Sequence, residues 1–290
     1  MTEPIATLLR TRAILDRYGL RPRKGFGQNF LVDPSVPRAI VADAGVGPED
    51  AVLEIGPGIG SMTQFLAENA KTVVAVELDK GLLPVLADTL MEYRNVHVVQ
   101  GDILKTDIGA LSRAYNEGRP FRVVANLPYY ITTPILMELL SSHAPVSSLT
   151  VMMQKEVAER LTAAPGTAAY GALTLAVAYR CSVAYCRTVP ATCFFPRPQV
   201  DSAVVRLDVL PQPRVQVKNE DFLFRITRCA FGQRRKTLVN CLYNQAGLGL
   251  SKEELAGVLA SLGLPETVRG EKLDLETFAA LADILYREEK

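Results

Sequence analysis

Five short runs rich in β-branched and aliphatic residues recur at 51–55, 72–76, 96–99, 122–125 and 149–152, and each gap between them is long enough for a helix. Strands joined through helices pair in parallel, because a parallel connection needs a crossover of about a dozen residues or more. The alternation predicts an α/β fold, a doubly wound Rossmann-like sheet. A sixth run at 202–210 alternates apolar with polar residues and reads as an added antiparallel strand.

Pro211-Gln212-Pro213 then punctuates the chain, and strand signals give way to helical patterns at 222–231, 236–245 and 275–286, with another helix opened by a Ser251-x-x-Glu254 capping box. A boundary near residue 211 predicts a larger domain over 1–211, including a basic leader, and a small all-α domain over 212–290. The leader carries Glu3, Arg10, Arg12, Asp16 and Arg17, and no apolar run approaches the length of a membrane span. Those features argue against a signal peptide, a transit segment or an anchor and place the chain in the cytoplasm. Five cysteines without a C-x-x-C, far in sequence from His97 and His143, read as reduced, buried thiols rather than a metal site. A net charge of +1 conceals an excess of Lys and Arg in residues 1–40 and of Asp and Glu in 41–110. This polarity suits a leader that meets a polyanion and a core that holds a cationic small molecule.

The first strand runs into Glu54-Ile55-Gly56-Pro57-Gly58-Ile59-Gly60, followed by Ser61-x-x-Gln64 as a potential helix cap. Strand, glycine turn and helix form a nucleotide-binding entry. The dinucleotide pattern G-x-G-x-x-G needs glycine where Ser61 stands, and Glu54 beside the loop repels a pyrophosphate while suiting a ligand with an ammonium and a sulfonium. S-adenosylmethionine fits better than NAD. Glu77, at the end of the second strand, is placed to take ribose hydroxyls, and Asp102, after the third, to accept from the cofactor's adenine amine.

The fourth strand leads into Asn126-Leu127-Pro128-Tyr129, which matches the N/D/S-P/L-P-Y/F motif of methyltransferases acting on exocyclic amines of nucleic-acid bases. An adenine amine is a poor nucleophile because its lone pair is delocalised into the ring. Acceptors for both N–H bonds let the nitrogen become more tetrahedral. The Asn126 side-chain carbonyl and the Leu127 backbone carbonyl can serve, with Pro128 fixing the turn and Tyr129 offering its face to a flipped base.

Across nearly its whole length the chain resembles the KsgA/RsmA family of ribosomal RNA small-subunit adenine dimethyltransferases. The matching stretches are Gly27-Gln28-Asn29-Phe30-Leu31, the Glu54 to Gly60 loop, Asn126-Leu127-Pro128-Tyr129-Tyr130, Met153-Gln154-Lys155-Glu156-Val157-Ala158, Tyr170-Gly171, Phe194-x-Pro196-x-Pro198-x-Val200-x-Ser202 and Gln233-Arg234-Arg235-Lys236-Thr237-Leu238. The last separates it from the Erm-type large-subunit methyltransferases. Met62, Arg197 and Gln199 are mild departures.

The resemblance implies cofactor contacts at Asn29, Leu31, Gly56, Glu77, Asp102 and Asn126, and with Glu54 the neighbouring Gln28, Gly58, Gly60, Leu78 and Ile103 complete the expected set. It implies that Phe194 packs on the target base opposite Tyr129, and that two adjacent adenosines near the 3′ end of 16S rRNA are dimethylated in an immature small subunit by a monomer. The product cofactor would be S-adenosylhomocysteine, with no metal. Arg21, Arg23 and Lys24, and Arg225, Arg228, Arg234, Arg235 and Lys236 in the small domain, are candidates to hold RNA phosphates. Rival readings are an Erm-type enzyme, a non-catalytic ribosome-assembly factor on the same fold, and an NAD-dependent oxidoreductase.

Overall fold

The computed structural model describes residues 3–23, 25, 27–141 and 144–287, so that Lys24 and His143 lie outside the described residues. Two compact units are present, Met1–Ala158 with Ala184–Val209, and Glu159–Val183 with Leu210–Lys290.

The first unit opens with α1 (Leu8–Arg17), β1 (Phe30–Leu31) and α2 (Ser35–Ala44). It continues as β2 (Ala51–Ile55), α3 (Thr63–Ala67), β3 (Thr72–Glu77), α4 (Leu83–Thr89), β4 (Val96–Gln100), α5 (Ile108–Tyr115), β5 (Phe121–Asn126), α6 (Thr132–Ser141) and β6 (Val146–Gln154). After α7 (Lys155–Leu161) and α8 (Ala172–Arg180) come β7 (Cys181–Val189), β8 (Phe194–Phe195) and β9 (Ser202–Val209). The main sheet has the order β4-β3-β2-β5-β6-β9-β7. β2 to β6 pair in parallel, and β9 runs antiparallel to β6.

Central β2 is buried at every position, whereas edge strand β4 is half-exposed along most of its length. Ile40 and Val41 of α2 pack with Phe65 and Leu66 of α3 against Val52, Val124 and Met152. A separate cluster joins Ile14 and Leu15 of α1 to Val85 and Leu86 of α4. From β2 the chain winds outward through β3 to β4, then returns to the other side of β2 as β5 and β6. The reversal opens a crevice at the carboxyl ends of β2 and β5, where ligands of such sheets lie.

The six expected strands all form, but β7 and the two-residue pair β1 and β8 come in addition. α8 ends at Arg180 and β7 starts at Cys181, with no glycine or proline to mark the change. Two residues are too few to show a period. Ser61-x-x-Gln64 does not act as a cap, since α3 begins at Thr63. Buried Gln64 instead accepts the Ile5 N–H at 2.8 Å, which ties the leader to the sheet unit.

In the second unit α8 joins α9 (Glu220–Gly232), α10 (Leu238–Gln245), α11 (Lys252–Ser261) and α12 (Leu275–Leu285). Leu223, Ile226, Leu238, Phe278 and Leu281 form its core, and Leu175 and Tyr179 of α8 pack into it. A division between Val209 and Leu210 falls beside the boundary expected near 211, but the helical unit also draws on residues 159–183, which the expected domain over 1–211 had included. The Ser251-x-x-Glu254 box does form, with Ser251 Oγ accepting the Glu254 N–H at 3.1 Å and Glu254 accepting the Ser251 N–H at 2.7 Å. Tyr170 serves this core too, donating to the Leu273 carbonyl at 2.8 Å.

Candidate active site

The loops after β2, β3, β4 and β5, with residues 27–31, surround a cleft of about 1070 Å³ counted to its open mouth. At the end of β2 the chain turns through Gly56 and Gly58, with φ of +69° and +64°. These values favour glycine, and a Cβ on Gly58 would stand 3.3 Å from the Phe30 ring.

Glu54 lines this cleft with no exposed surface, and neither carboxylate oxygen has a hydrogen-bond partner among the described residues. Burial pushes its pKa up to about 8, with Thr63 opposing the rise and the nearby Glu77 charge adding to it. An unpartnered buried carboxylate is costly unless a ligand satisfies it. Glu77, at the end of β3, accepts the Gly58 N–H at 3.2 Å and the Asp79 N–H at 2.7 Å. Burial nevertheless raises its pKa, the backbone hydrogen bonds opposing. Asp102 accepts the Leu104 N–H through one oxygen at 3.1 Å and lines the cleft beside Ile103 and half-exposed Leu78.

After β5, Leu127 donates its N–H to the Met152 carbonyl at 3.0 Å, and Pro128 O accepts from Ile131 N and from the Thr132 hydroxyl, both at 3.1 Å. These bonds hold the Asn126-Leu127-Pro128-Tyr129 turn against the start of α6. Asn126 Nδ2 donates to the Asn29 carbonyl at 3.1 Å. A carbonyl only accepts, so this bond determines that nitrogen faces Asn29 and leaves Oδ1 as the outward acceptor. The Tyr129 hydroxyl shares a 2.7 Å hydrogen bond with buried Ser202 Oγ, and burial raises the phenol pKa.

Of the residues expected at the site, Gln28, Asn29, Leu31, Glu54, Gly56, Gly58, Glu77, Leu78, Asp102, Ile103, Asn126, Leu127, Pro128 and Tyr129 all border this one cleft. Two do not. Gly60 is a packing glycine, since a Cβ there would meet Leu90 at 3.1 Å and Thr89 at 3.2 Å. Phe194 is only 4% exposed and sits in the core cluster with Leu31, Met152 and Val204, outside the residues that line the cleft. Its strand pairs with Phe30 and Leu31 and turns the ring inward.

Among the basic candidates Arg21, Arg225, Arg228, Arg235 and Lys236 are exposed, Arg225 lying 4.7 Å over the Phe222 ring. Arg23 and Arg234 have internal partners. Arg23 pairs with Asp79 at 3.1 Å, and Arg234 donates to the carbonyls of Ala168 at 2.8 Å and Tyr170 at 3.0 Å. Sequence reasoning missed Asp79, and it gave no site role to Ser202 or to the cleft-lining Phe30, Met62 and Tyr130, although these four stand among the residues compared with the family. Only the position of Asp79 two residues after Glu77 hinted at it. Among the described residues no group of three or more His, Cys, Asp or Glu is placed to hold a metal ion, and no helix is long and apolar enough to cross a membrane.

A family model described as ribosomal RNA adenine dimethylase matches residues 19–280. The ribosomal RNA small subunit methyltransferase A of Lachnoclostridium phytofermentans is 51% identical over 277 residues, covering 95% of this chain and 96% of its own. A dimethyladenosine transferase from Plasmodium falciparum superposes with a TM-score of 0.72 at 28% identity, over 87% of this chain and 95% of that one. The 23S rRNA methyltransferase ErmE gives 0.67 at 25% identity, over 89% and 99%. Both likenesses identify the sheet as that of class I RNA methyltransferases. With a family match over most of its length and a relative half-identical from end to end, the chain belongs to the ribosomal RNA adenine dimethylase family.

Proposed function

We propose that this enzyme uses S-adenosylmethionine to dimethylate the exocyclic N6 amines of two adjacent adenosines near the 3′ end of 16S rRNA, acting in the cytoplasm as a monomer on an immature small ribosomal subunit. The observation that carries the reading is the Asn126 amide, turned by the Asn29 carbonyl so that its oxygen is the free end, in the same cleft as the unpartnered Glu54 carboxylate.

The residues fit the cofactor. Glu54 supplies a buried acceptor for an ammonium group, Glu77 retains lone pairs for ribose hydroxyls, and Asp102 keeps a free oxygen for an adenine amine between apolar Leu78 and Ile103. When bound, S-adenosylmethionine supplies an electrophilic methyl on a sulfonium. The protein's part is to position and polarise the amine. Asn126 Oδ1 and the Leu127 carbonyl accept its two N–H bonds and draw density onto nitrogen, while the Tyr129 face supports the base and its developing positive charge. No strong base is required, because the methylated ammonium is acidic enough to lose its proton to water.

RNA phosphates would meet Arg225, Arg228, Arg235 and Lys236 on the helical unit and Arg21 on the leader of the sheet unit. Arg23 and Arg234 are better read as structural. The small-subunit substrate rests on the 51% identity to a small-subunit enzyme, against 25% to the large-subunit ErmE. Transfer of radiolabelled methyl groups tests the choice, with label expected on immature 30S particles. Label on naked 23S RNA alone would mean an Erm-type enzyme.

A further inference from the structure

Asp79 follows β3 with a side chain only 7% exposed, in contact with two separate parts of the cleft. Its Oδ1 accepts the Gly81 N–H at 3.0 Å, the cap of a short 3-10 turn, and the Arg23 guanidinium at 3.1 Å. Its Oδ2 accepts from Gln28 Nε2 at 3.0 Å, and Gln28 Oε1 in turn accepts the Arg23 N–H at 2.9 Å. Capping occupies one oxygen, so the rest of the carboxylate is committed to the segment that precedes β1. The backbone N–H of Asp79 donates to Glu77 Oε1 at 2.7 Å, which links the same residue to the proposed ribose acceptor.

Further along, the fastened segment reaches the target-amine loop. Gly27 lies so near Pro128 that a Cβ on it would be 3.3 Å from the proline Cβ. Two residues later the Asn29 carbonyl takes the Asn126 amide nitrogen. Arg23 and residues 27–31 therefore reach from the end of β3 to the end of β5 beside the cleft, with Asp79 holding Arg23 and Gln28 and with Asn29 orienting Asn126.

We propose that Asp79 is a positioning residue that fastens Arg23 and Gln28 beside the cleft and thereby sets both cofactor affinity and the orientation of the Asn126 amide. The inference rests on the function proposed above. Releasing Gln28 and Arg23 from Asp79 lets the segment lift, removing Gln28 and Asn29 from the cofactor's side and freeing the Asn126 amide to flip. A flipped amide would present N–H donors to an amine that needs acceptors.

Asp79→Asn separates this role from capping, because asparagine caps as well as aspartate and still accepts from Gly81. It has no charge for Arg23, and its amide nitrogen cannot accept from Gln28. Gln28→Leu breaks the same link from the other side. The measurements are the tryptic cleavage rate after Arg23 (the Arg21-Pro22 bond resists trypsin), S-adenosylhomocysteine affinity by calorimetry, kcat and KM on undermethylated small-subunit particles, and melting temperature. For Asp79→Asn we expect about tenfold faster cleavage, about tenfold weaker binding and a reduced kcat at saturating cofactor, with melting temperature retained. The double variant should be no worse than Asp79→Asn alone. Wild-type cleavage and affinity in Asp79→Asn, or additive losses that track a fall in melting temperature, would overturn the assignment. Should the wild-type protein neither bind S-adenosylhomocysteine nor methylate the particles, the proposed function fails instead, and faster cleavage of Asp79→Asn would still report the fastening.

Discussion

Glu54 concentrates the electrostatics of the cleft in one side chain. With its pKa pushed up to about 8 by burial, it holds a proton at neutral pH until a cation arrives, and a bound ammonium favours the carboxylate. S-adenosylhomocysteine binding at pH 7 should release close to one proton, read by calorimetry in buffers of different ionisation enthalpy, and Glu54→Gln should abolish the release. Absence of proton uptake or release in the wild type would contradict this role. The same shift has a sign for stability. A carboxyl with a folded pKa above its unfolded one binds more protons when folded, so the ligand-free protein loses stability as pH rises from the ordinary carboxylate range to about 8.

The Tyr129 to Ser202 hydrogen bond belongs to the same scale. Removing a buried partner costs roughly 1–3 kcal/mol, so Ser202→Ala should lower kcat by about tenfold through a loosened ring. Adding Tyr129→Phe should cost little more; a fully additive double variant would show that the bond does not hold the ring. Glu54, Glu77, Asp102 and Asn126 were legible because each sits at a strand end or beside a marked turn, which local sequence shows. Asp79 and Ser202 were not, since their partners lie 51 and 73 residues away. For Phe194 the motif shows an aromatic near the site but not which way a two-residue strand turns it.

At the scale of elements, the parallel strands were readable because burial on both faces makes them apolar runs, and the α11 capping box because its two bonds are local. β7 escaped because it is half-exposed and follows α8 without a break, and α8 could not be assigned to the helical unit because an apolar helix covers a sheet or joins a bundle with the same pattern. One contact in that bundle leaves no room for a side chain. A Cβ on Gly270 would stand 2.8 Å from the Ala230 Cβ and 3.1 Å from its carbonyl, both on α9. Gly270→Ala should therefore destabilise the helical unit by about 1–3 kcal/mol in denaturant unfolding. An unchanged midpoint would show that α9 shifts without cost.

Across the whole molecule, two compact units divide the chemistry. The sheet unit contains the cleft with its buried acids and outward amide oxygen, and the helical unit presents Arg225, Arg228, Arg235 and Lys236 as exposed charge. Division of the sequence by segment shows the basic leader and the acidic stretch at 41–110, but residues 212–290 hold twelve Lys and Arg against eleven Asp and Glu, so the exposed basic residues of the helical unit stand out only in the structure. The central claim is that the Asn126 oxygen helps activate an adenine amine of small-subunit rRNA. Mass spectrometry of nuclease-digested rRNA, after undermethylated small-subunit particles are incubated with S-adenosylmethionine and either wild-type protein or Asn126→Ala, tests it most directly. We expect two dimethyladenosines near the 3′ end with the wild type, and a loss of at least about a hundredfold in rate with Asn126→Ala at saturating S-adenosylmethionine. Methylation elsewhere, or equal dimethylation by the two proteins, would contradict the account.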